Sequence, residues 1–214
     1  MKGYFITFEG PDGSGKSTAA QAVCQRLIEE GYQVVHTREP GGIEISEKIR
    51  NIILDPANTM MDAKTEALLY AASRRQHLVE KVFPAIKEGK IVICERFLDS
   101  SLAYQGYGRQ LGFDAILSIN LFAIDNTYPD LTIYLDVDEQ VGLDRLKDRS
   151  FIDRLDQESI EFHHRVAQGY REVRKRFKDR IVEVDASRDL EEVVNDTLQI
   201  ILKSIHDPRR TEEQ

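Results

Sequence analysis

A parallel α/β fold is what this chain of 214 residues predicts: a five-stranded sheet flanked by helices on both faces, with a short lid segment. Three observations lead to it. Short apolar runs of strand length alternate with longer stretches whose apolar residues recur at helical spacing. The first such run, Tyr4 to Phe8, feeds directly into Gly10-Pro11-Asp12-Gly13-Ser14-Gly15-Lys16-Ser17, which satisfies G-x-x-x-x-G-K-[ST] in full. No linker, internal repeat or low-complexity tract divides the chain, so one domain over residues 1–206 is expected, with a charged tail at 207–214.

Composition narrows the partners. A formal net charge of −8 disfavours sequence-independent nucleic-acid binding, which needs a basic excess to track phosphates. The 2 cysteines, Cys24 and Cys94, fall inside an expected helix and an expected strand without metal-ligand spacing, and read as reduced packing residues. The opening residues lack the pattern of an export signal, and no apolar run approaches about 18 residues. A cytoplasmic protein with no membrane segment is therefore expected.

The residue types of the loop have a physical reading. Glycines at 10, 13 and 15 remove side chains that would block phosphate oxygens and let successive backbone N–H groups, with Ser14, turn inward. The helix that follows, Ser17 to Glu30, offers its N-terminus to an anion, with Thr18 beside it. Lys16 supplies a mobile positive charge for the β- and γ-phosphates of ATP, and the Ser17 hydroxyl a ligand for Mg²⁺.

The remaining elements follow in order. Gln33 to Thr37 reads as a second strand ending in Arg38-Glu39-Pro40-Gly41-Gly42, a turn. A helix over Glu44 to Leu54 is expected to place Ile45, Ile49, Ile52 and Ile53 inward, which leaves Arg50 on another face as an exposed cation. Asp62 caps a long helix to about Lys87 whose apolar set is Ala67, Leu68, Ala71, Ala72, Leu78, Val79, Val82 and Phe83. On it Tyr70 and Arg74 stand four apart, a spacing that serves a planar ring or a simple surface pair, and spacing alone favours the pair.

Ile91 to Cys94 is a buried parallel strand, and Glu95-Arg96 falls at its carboxyl end, where open parallel sheets bind ligands. An ion or phosphate role there outweighs a purely structural ion pair. Ser101, Tyr104 and Gln105 then make one polar and aromatic helix face, with an amide able to donate and accept. Leu131 to Asp136 and Ile181 to Asp185 are the fourth and fifth strands, and Leu190 to Ile205 is the last helix. Between them Arg145, Arg149 and Arg154 concentrate cations at 145–156, either as a solvated face or as a lid that carries arginine to a transferring phosphate.

Together these motifs resemble bacterial thymidylate kinases, a family of phosphate-loop nucleoside monophosphate kinases. The likeness rests on the loop, Arg38 to Gly42, the Ala67 to Arg75 stretch, Glu95-Arg96-Phe97 through Gly106, and Pro129 to Leu135. It implies that Tyr70, at a position usually held by phenylalanine, stacks on thymine, that Arg74 bonds its exocyclic oxygen, and that Ser101 and Gln105 satisfy its polar edge. By the same likeness Tyr104 lies near the sugar 2′ carbon, Asp12 bonds the 3′-hydroxyl, and Arg38, Arg50 and Arg96 grip the acceptor phosphate. The resemblance thus overrides the plain readings of Tyr70 and Arg50, and it implies a homodimer through the long helices.

Two departures stand out. Glu95 occupies a position that is usually aspartate, and Ile43 follows the paired glycines in place of threonine. Gly13 marks the class without an arginine in the loop, so the resemblance puts the charge-stabilising arginine in the lid, with Arg149 first and Arg145 or Arg154 as alternatives. The expected reaction is transfer of the γ-phosphoryl group of MgATP to dTMP, giving dTDP and ADP on the way to dTTP, with Lys16, Arg96, Arg149, Glu95 and Asp12 as the catalytic set and Ser17 and Glu95 at the metal. A kinase for another nucleoside monophosphate, and an ATP-binding switch without kinase activity, are the alternatives.

Overall fold

The architecture is taken from a computed structural model that describes residues 3–138, 141–142 and 153–207. Its centre is β1, Tyr4–Glu9, whose side chains alternate between two cores. Phe5 joins the cluster on one face of the sheet, and Tyr4, Ile6 and Phe8 join the cluster on the other. β3, Ile91–Glu95, divides the same way, with Val92 and Cys94 on the first face and Ile91 and Ile93 on the second. Burial on both faces is why these runs are continuously apolar.

With β2 (Val34–Arg38), β4 (Leu131–Asp136) and β5 (Ile181–Asp185) they form the expected five-stranded parallel sheet, in the order β2-β3-β1-β4-β5. Register brings three carboxyl ends level. Phe8 lies opposite Glu95, and Arg38 lies opposite Glu95 on the other side. The loops leaving β1, β2 and β3 consequently emerge side by side, next to the point where the chain switches from one half of the sheet to the other.

α1 (Lys16–Glu29) covers the second core and packs against the terminal helix, α8 (Leu190–Ile205). The first core lies under α2 (Glu44–Leu54), α3 (Ala63–His77), α4 (Phe83–Lys87), α5 (Leu98–Ser101), α6 (Phe113–Ile124) and α7 (Ile160–Arg176). Two π-helical stretches interrupt this layer, Leu78–Val82 between α3 and α4 and Leu102–Gly108 after α5. The long helix expected to run unbroken to Lys87 is thus α3 and α4 joined by a π turn. Asp62 does cap it, accepting from the backbone N–H groups of Lys64 and Thr65 at 3.0 and 3.2 Å.

The helix faces need correction. On α2 Ile53 is buried, but Ile45 and Ile52 are 48% and 49% exposed, and Ser46 takes an inward position by donating to the Ser73 carbonyl at 2.8 Å. On α3 and the π turn Leu68, Ala72 and Val79 face out, while Glu66, Ser73, Arg74 and His77 are buried. Glu66, Arg74 and His77 occupy that inward face because each finds hydrogen-bond partners there, which apolar periodicity cannot register. Cys24 and Cys94 are free and buried, as expected, and among the described residues no helix is long and apolar enough to cross a membrane.

Candidate active site

A cleft of about 470 Å³ opens at the carboxyl ends of β1, β2 and β3. Its floor is the glycine-rich loop. Gly13 has φ +78, and a Cβ there would lie 2.2 Å from the Gly142 carbonyl oxygen, so the backbone excludes the side chain that the other class of loop carries. Gly15, also at positive φ, hands over directly to α1. Lys16 is 8% exposed and its Nζ donates to the Gly10 and Pro11 carbonyls and to Ser14 Oγ, at 3.1, 2.6 and 3.2 Å. The ammonium therefore sits against the loop's own oxygens.

Beside it Ser17 Oγ donates to Glu95 Oε2, and His36 Nε2 approaches Glu95 Oε1 at 2.9 Å. The longer arm of glutamate spans from β3 to both α1 and β2. Burial pushes the Glu95 carboxyl up, but the bonds from His36 and Ser17 and the nearby charge of Lys16 hold it below its ordinary value. A hydroxyl and an ionised carboxylate in contact form an oxygen donor set suited to Mg²⁺.

Arg96 is the hub of the cleft. It holds φ +63, a sparsely populated conformation for a side-chain-bearing residue, and its N–H donates to the Phe8 carbonyl at 2.9 Å. The guanidinium pairs with Asp12 and donates to Ser100 Oγ and Tyr170 Oη, both at 3.0 Å, and lies 5.1 Å from the Tyr104 ring centroid. Tyr104 Oη in turn donates to Asp12 Oδ2 at 2.5 Å. Arg38 and Arg50 line the same cleft. Arg50 is half-buried, donates to the Pro40 carbonyl at 2.9 Å, and has its pKa lowered by burial and by Arg38.

The far end is a pocket lined by Tyr70, Arg74, Ser101 and Gln105. Arg74 is almost completely buried. Its Nε donates to Glu39 Oε2 at 2.7 Å, and its Nη1 reaches Ser101 Oγ at 3.1 Å and Asn120 Oδ1. Glu39 is steadied by His77 at 2.9 Å, and His77 by Thr37 at 2.7 Å. Such fixed polar groups on an aromatic wall suit a planar ring with a defined donor and acceptor pattern.

The structure thus gathers Asp12, Gly13, Gly15, Lys16, Ser17, Thr18, Arg38, Arg50, Tyr70, Arg74, Glu95, Arg96, Ser101, Tyr104 and Gln105 around one cleft. Arg145 and Arg149 lie outside the described residues. Arg154 is buried and committed elsewhere: its Nε donates to the Ile53 carbonyl at 2.8 Å and its Nη2 to Glu66 Oε2 at 2.6 Å.

Sequence reasoning missed Glu9, Glu39, Glu66, Asn120 and Tyr170. Two carried a signal: Glu9 is acidic within a strand buried on both faces, and Asn120 interrupts an apolar helix. Glu9 accepts from the N–H groups of Phe97 and Ser100, from Ser100 Oγ and from Tyr170 Oη, at 2.7, 3.2, 2.6 and 3.1 Å. It thereby ties the end of β1 to the turn that carries Arg96. Burial first, and then the charge of Asp99, push its carboxyl from 4.5 to about 7 against the pull of Arg96 and these bonds.

The raised pKa has a signed consequence. Between pH 4.5 and about 7 the folded chain binds the Glu9 proton more tightly than the unfolded chain, so this group's contribution to stability falls as pH rises and the cost is complete above 7. Glu9→Gln has no such titration. Urea unfolding midpoints should show the variant gaining about 2–3 kcal/mol on the wild type between acid and neutral pH; parallel profiles would refute the assignment.

Known proteins resemble the chain in sequence and in fold. The chain matches the family described as thymidylate kinase over residues 8–197. It is similar to the thymidylate kinase of Geobacillus sp. (strain WCH70), with 55% identity over 208 residues, 96% of this chain and 99% of the relative. It is also similar to that of Bacillus velezensis, with 56% identity over 207 residues, 96% and 98% of the two chains. The crystal structure of thymidylate kinase from Ehrlichia chaffeensis superposes with a TM-score of 0.77 at 33% identity, over 94% of this chain and 99% of the other. Sheet order, phosphate loop and likeness along nearly the whole chain agree, and the chain belongs to the thymidylate kinase family.

Proposed function

We propose that this phosphotransferase moves the γ-phosphoryl group of ATP to dTMP, giving dTDP and ADP in the supply of dTTP. One observation supports the reading above others: Lys16 and Ser17, Arg38, Arg50 and Arg96, and Tyr70, Arg74 and Gln105 all line a single cleft. A donor triphosphate, an acceptor phosphate and a base then have partners in one place.

The loop N–H groups and Lys16 bind the donor phosphates, with Ser14 and Thr18 beside them. Lys16 leaves the Gly10 and Pro11 carbonyls for phosphate oxygens and follows the charge as it shifts to the leaving group. Arg38, Arg50 and Arg96 orient the acceptor phosphate, whose oxygen is already anionic and needs no strong base. Asp12, which steadies Arg96, accepts the sugar 3′-hydroxyl, and Tyr104 closes off the 2′ position. Tyr70 stacks on thymine, with Arg74, Ser101 and Gln105 along its polar edge. Ser17 and Glu95 would hold Mg²⁺, which when bound would neutralise charge on the donor phosphates. With Gly13 bare, Arg149 or Arg145 is left to reach the transferring group; Arg154 is better placed to anchor the flank of that segment on Glu66.

The exposed apolar side chains left over support a homodimer. Ile45 and Ile52 on α2, Leu68 on α3 and Phe122 on α6, the last 89% exposed, project from helices that pack on one another. Two buried free cysteines and nucleotide substrates fit a reducing cytoplasm.

Two measurements test this. In a coupled ADP-release assay with Mg²⁺ and ATP, dTMP should outpace guanosine and adenosine monophosphates, and Lys16→Ala should lower turnover by roughly 10³-fold; preference for a purine or near-normal Lys16→Ala turnover contradicts the reading. In sedimentation equilibrium the wild type should weigh two chains and the Leu68→Glu/Phe122→Glu variant one, whereas an unchanged mass places the contact on another face.

A further inference from the structure

Behind Gln105, away from the cleft, lies Glu66 on α3, fully buried. Its two oxygens serve three side chains. Gln105 Nε2 donates at 2.9 Å, Arg154 Nη2 at 2.6 Å, and Arg109 Nε straddles both oxygens at 3.2 and 3.1 Å. Burial opposes ionisation, yet the bonds from Arg109, Gln105 and Arg154 hold the carboxyl below its ordinary value.

An ionised carboxylate has lone pairs and no proton, so an amide facing it presents nitrogen. The consequence falls on the opposite end of the amide. Gln105 Oε1 has no hydrogen-bond partner among the described residues, while Gln105 itself lines the cleft next to Arg74. Arg74 is held equally firmly by Glu39 and Asn120, so it can present only N–H groups. The same pocket therefore offers a base an amide acceptor and a guanidinium donor.

We propose that Glu66 is a positioning residue for base selection: by fixing the Gln105 amide with its oxygen toward the cleft, it admits a ring with an N–H beside an exocyclic oxygen and rejects one with a bare nitrogen beside an amino group. Thymine and uracil present the first pattern and cytosine the second. This deepens the proposed function and rests on it. Buried hydrogen-bonding groups left unmatched are what make such discrimination strong.

The test compares kcat/KM for dTMP and dCMP in the wild type, Glu66→Gln and Arg109→Met. A neutral amide at 66 accepts either end of Gln105, so the dTMP-over-dCMP ratio should fall by about tenfold in Glu66→Gln, chiefly through a lower KM for dCMP, with kcat at saturating dTMP little changed. Arg109→Met removes a cation but keeps the carboxylate and should retain the wild-type ratio. A folded Glu66→Gln with an unchanged ratio overturns the proposal, as does an equal loss in Arg109→Met, which indicates general loosening. Should Glu66→Gln not fold alone, the Glu66→Gln/Arg109→Met pair carries the same reading. The wild type gives an independent one by NMR: the Gln105 side-chain amide protons should stay protected from solvent exchange with and without dTMP, and rapid exchange in the free protein refutes the arrangement. Absence of dTMP-dependent ADP release in the wild type would instead remove the proposed function beneath it.

Discussion

Everything in the cleft is referred to the pairing of Arg96 with Asp12. One partner comes from the turn after β3 and the other from the glycine-rich loop after β1, so this contact joins two loops that strand register alone only brings level. Arg96 reaches it from a left-handed backbone position, held there by its own N–H on Phe8 and by the Glu9 bonds to Phe97 and Ser100. Strain of this kind persists only where surrounding bonds over-determine it. Here they do so on every side, through Ser100, Tyr170 and Tyr104.

Electrostatic order follows from the same hub. An acidic protein concentrates Lys16, Arg38, Arg50, Arg74 and Arg96 in one cleft and sets each against a carboxylate or a carbonyl: Arg96 against Asp12, Arg74 against Glu39, Arg38 against Glu47, Arg50 against Pro40 and Lys16 against Gly10 and Pro11. Apart from the mobile Lys16, preorganised charge of this sort costs little rearrangement during transfer, which suits a reaction in which positioning and neutralisation do most of the catalysis. The end of the cleft proposed for the base uses the same device with hydrogen bonds, which hold Arg74 through Glu39 and Gln105 through Glu66.

What the residues revealed unaided follows a physical division. β1, β3 and the phosphate loop were legible because strands buried on two faces are continuously apolar and because the loop's chemistry is local in sequence. Helix faces were less so. Ile45, Ile52 and Leu68 look like core and are exposed, since apolar periodicity does not say whether a face meets the sheet or the outside. Glu66 was hidden for a different reason: it meets Gln105 at a separation of 39 residues and Arg154 at 88, so no local pattern announces it. Glu95 illustrates the middle case, expected at the metal, with its extra methylene explained only once Ser17 and His36 are seen at its two oxygens.

If Arg96 and Asp12 act as one unit linking the phosphate loop to the acceptor, their losses cannot be independent. The most direct measurement is a double-mutant cycle of Asp12→Asn and Arg96→Met read in kcat/KM for dTMP. Coupling of at least about 1 kcal/mol, with the double variant little worse than Arg96→Met alone, is the predicted result. Additive losses would contradict the account, because they would mean that each side chain meets the substrate without the other.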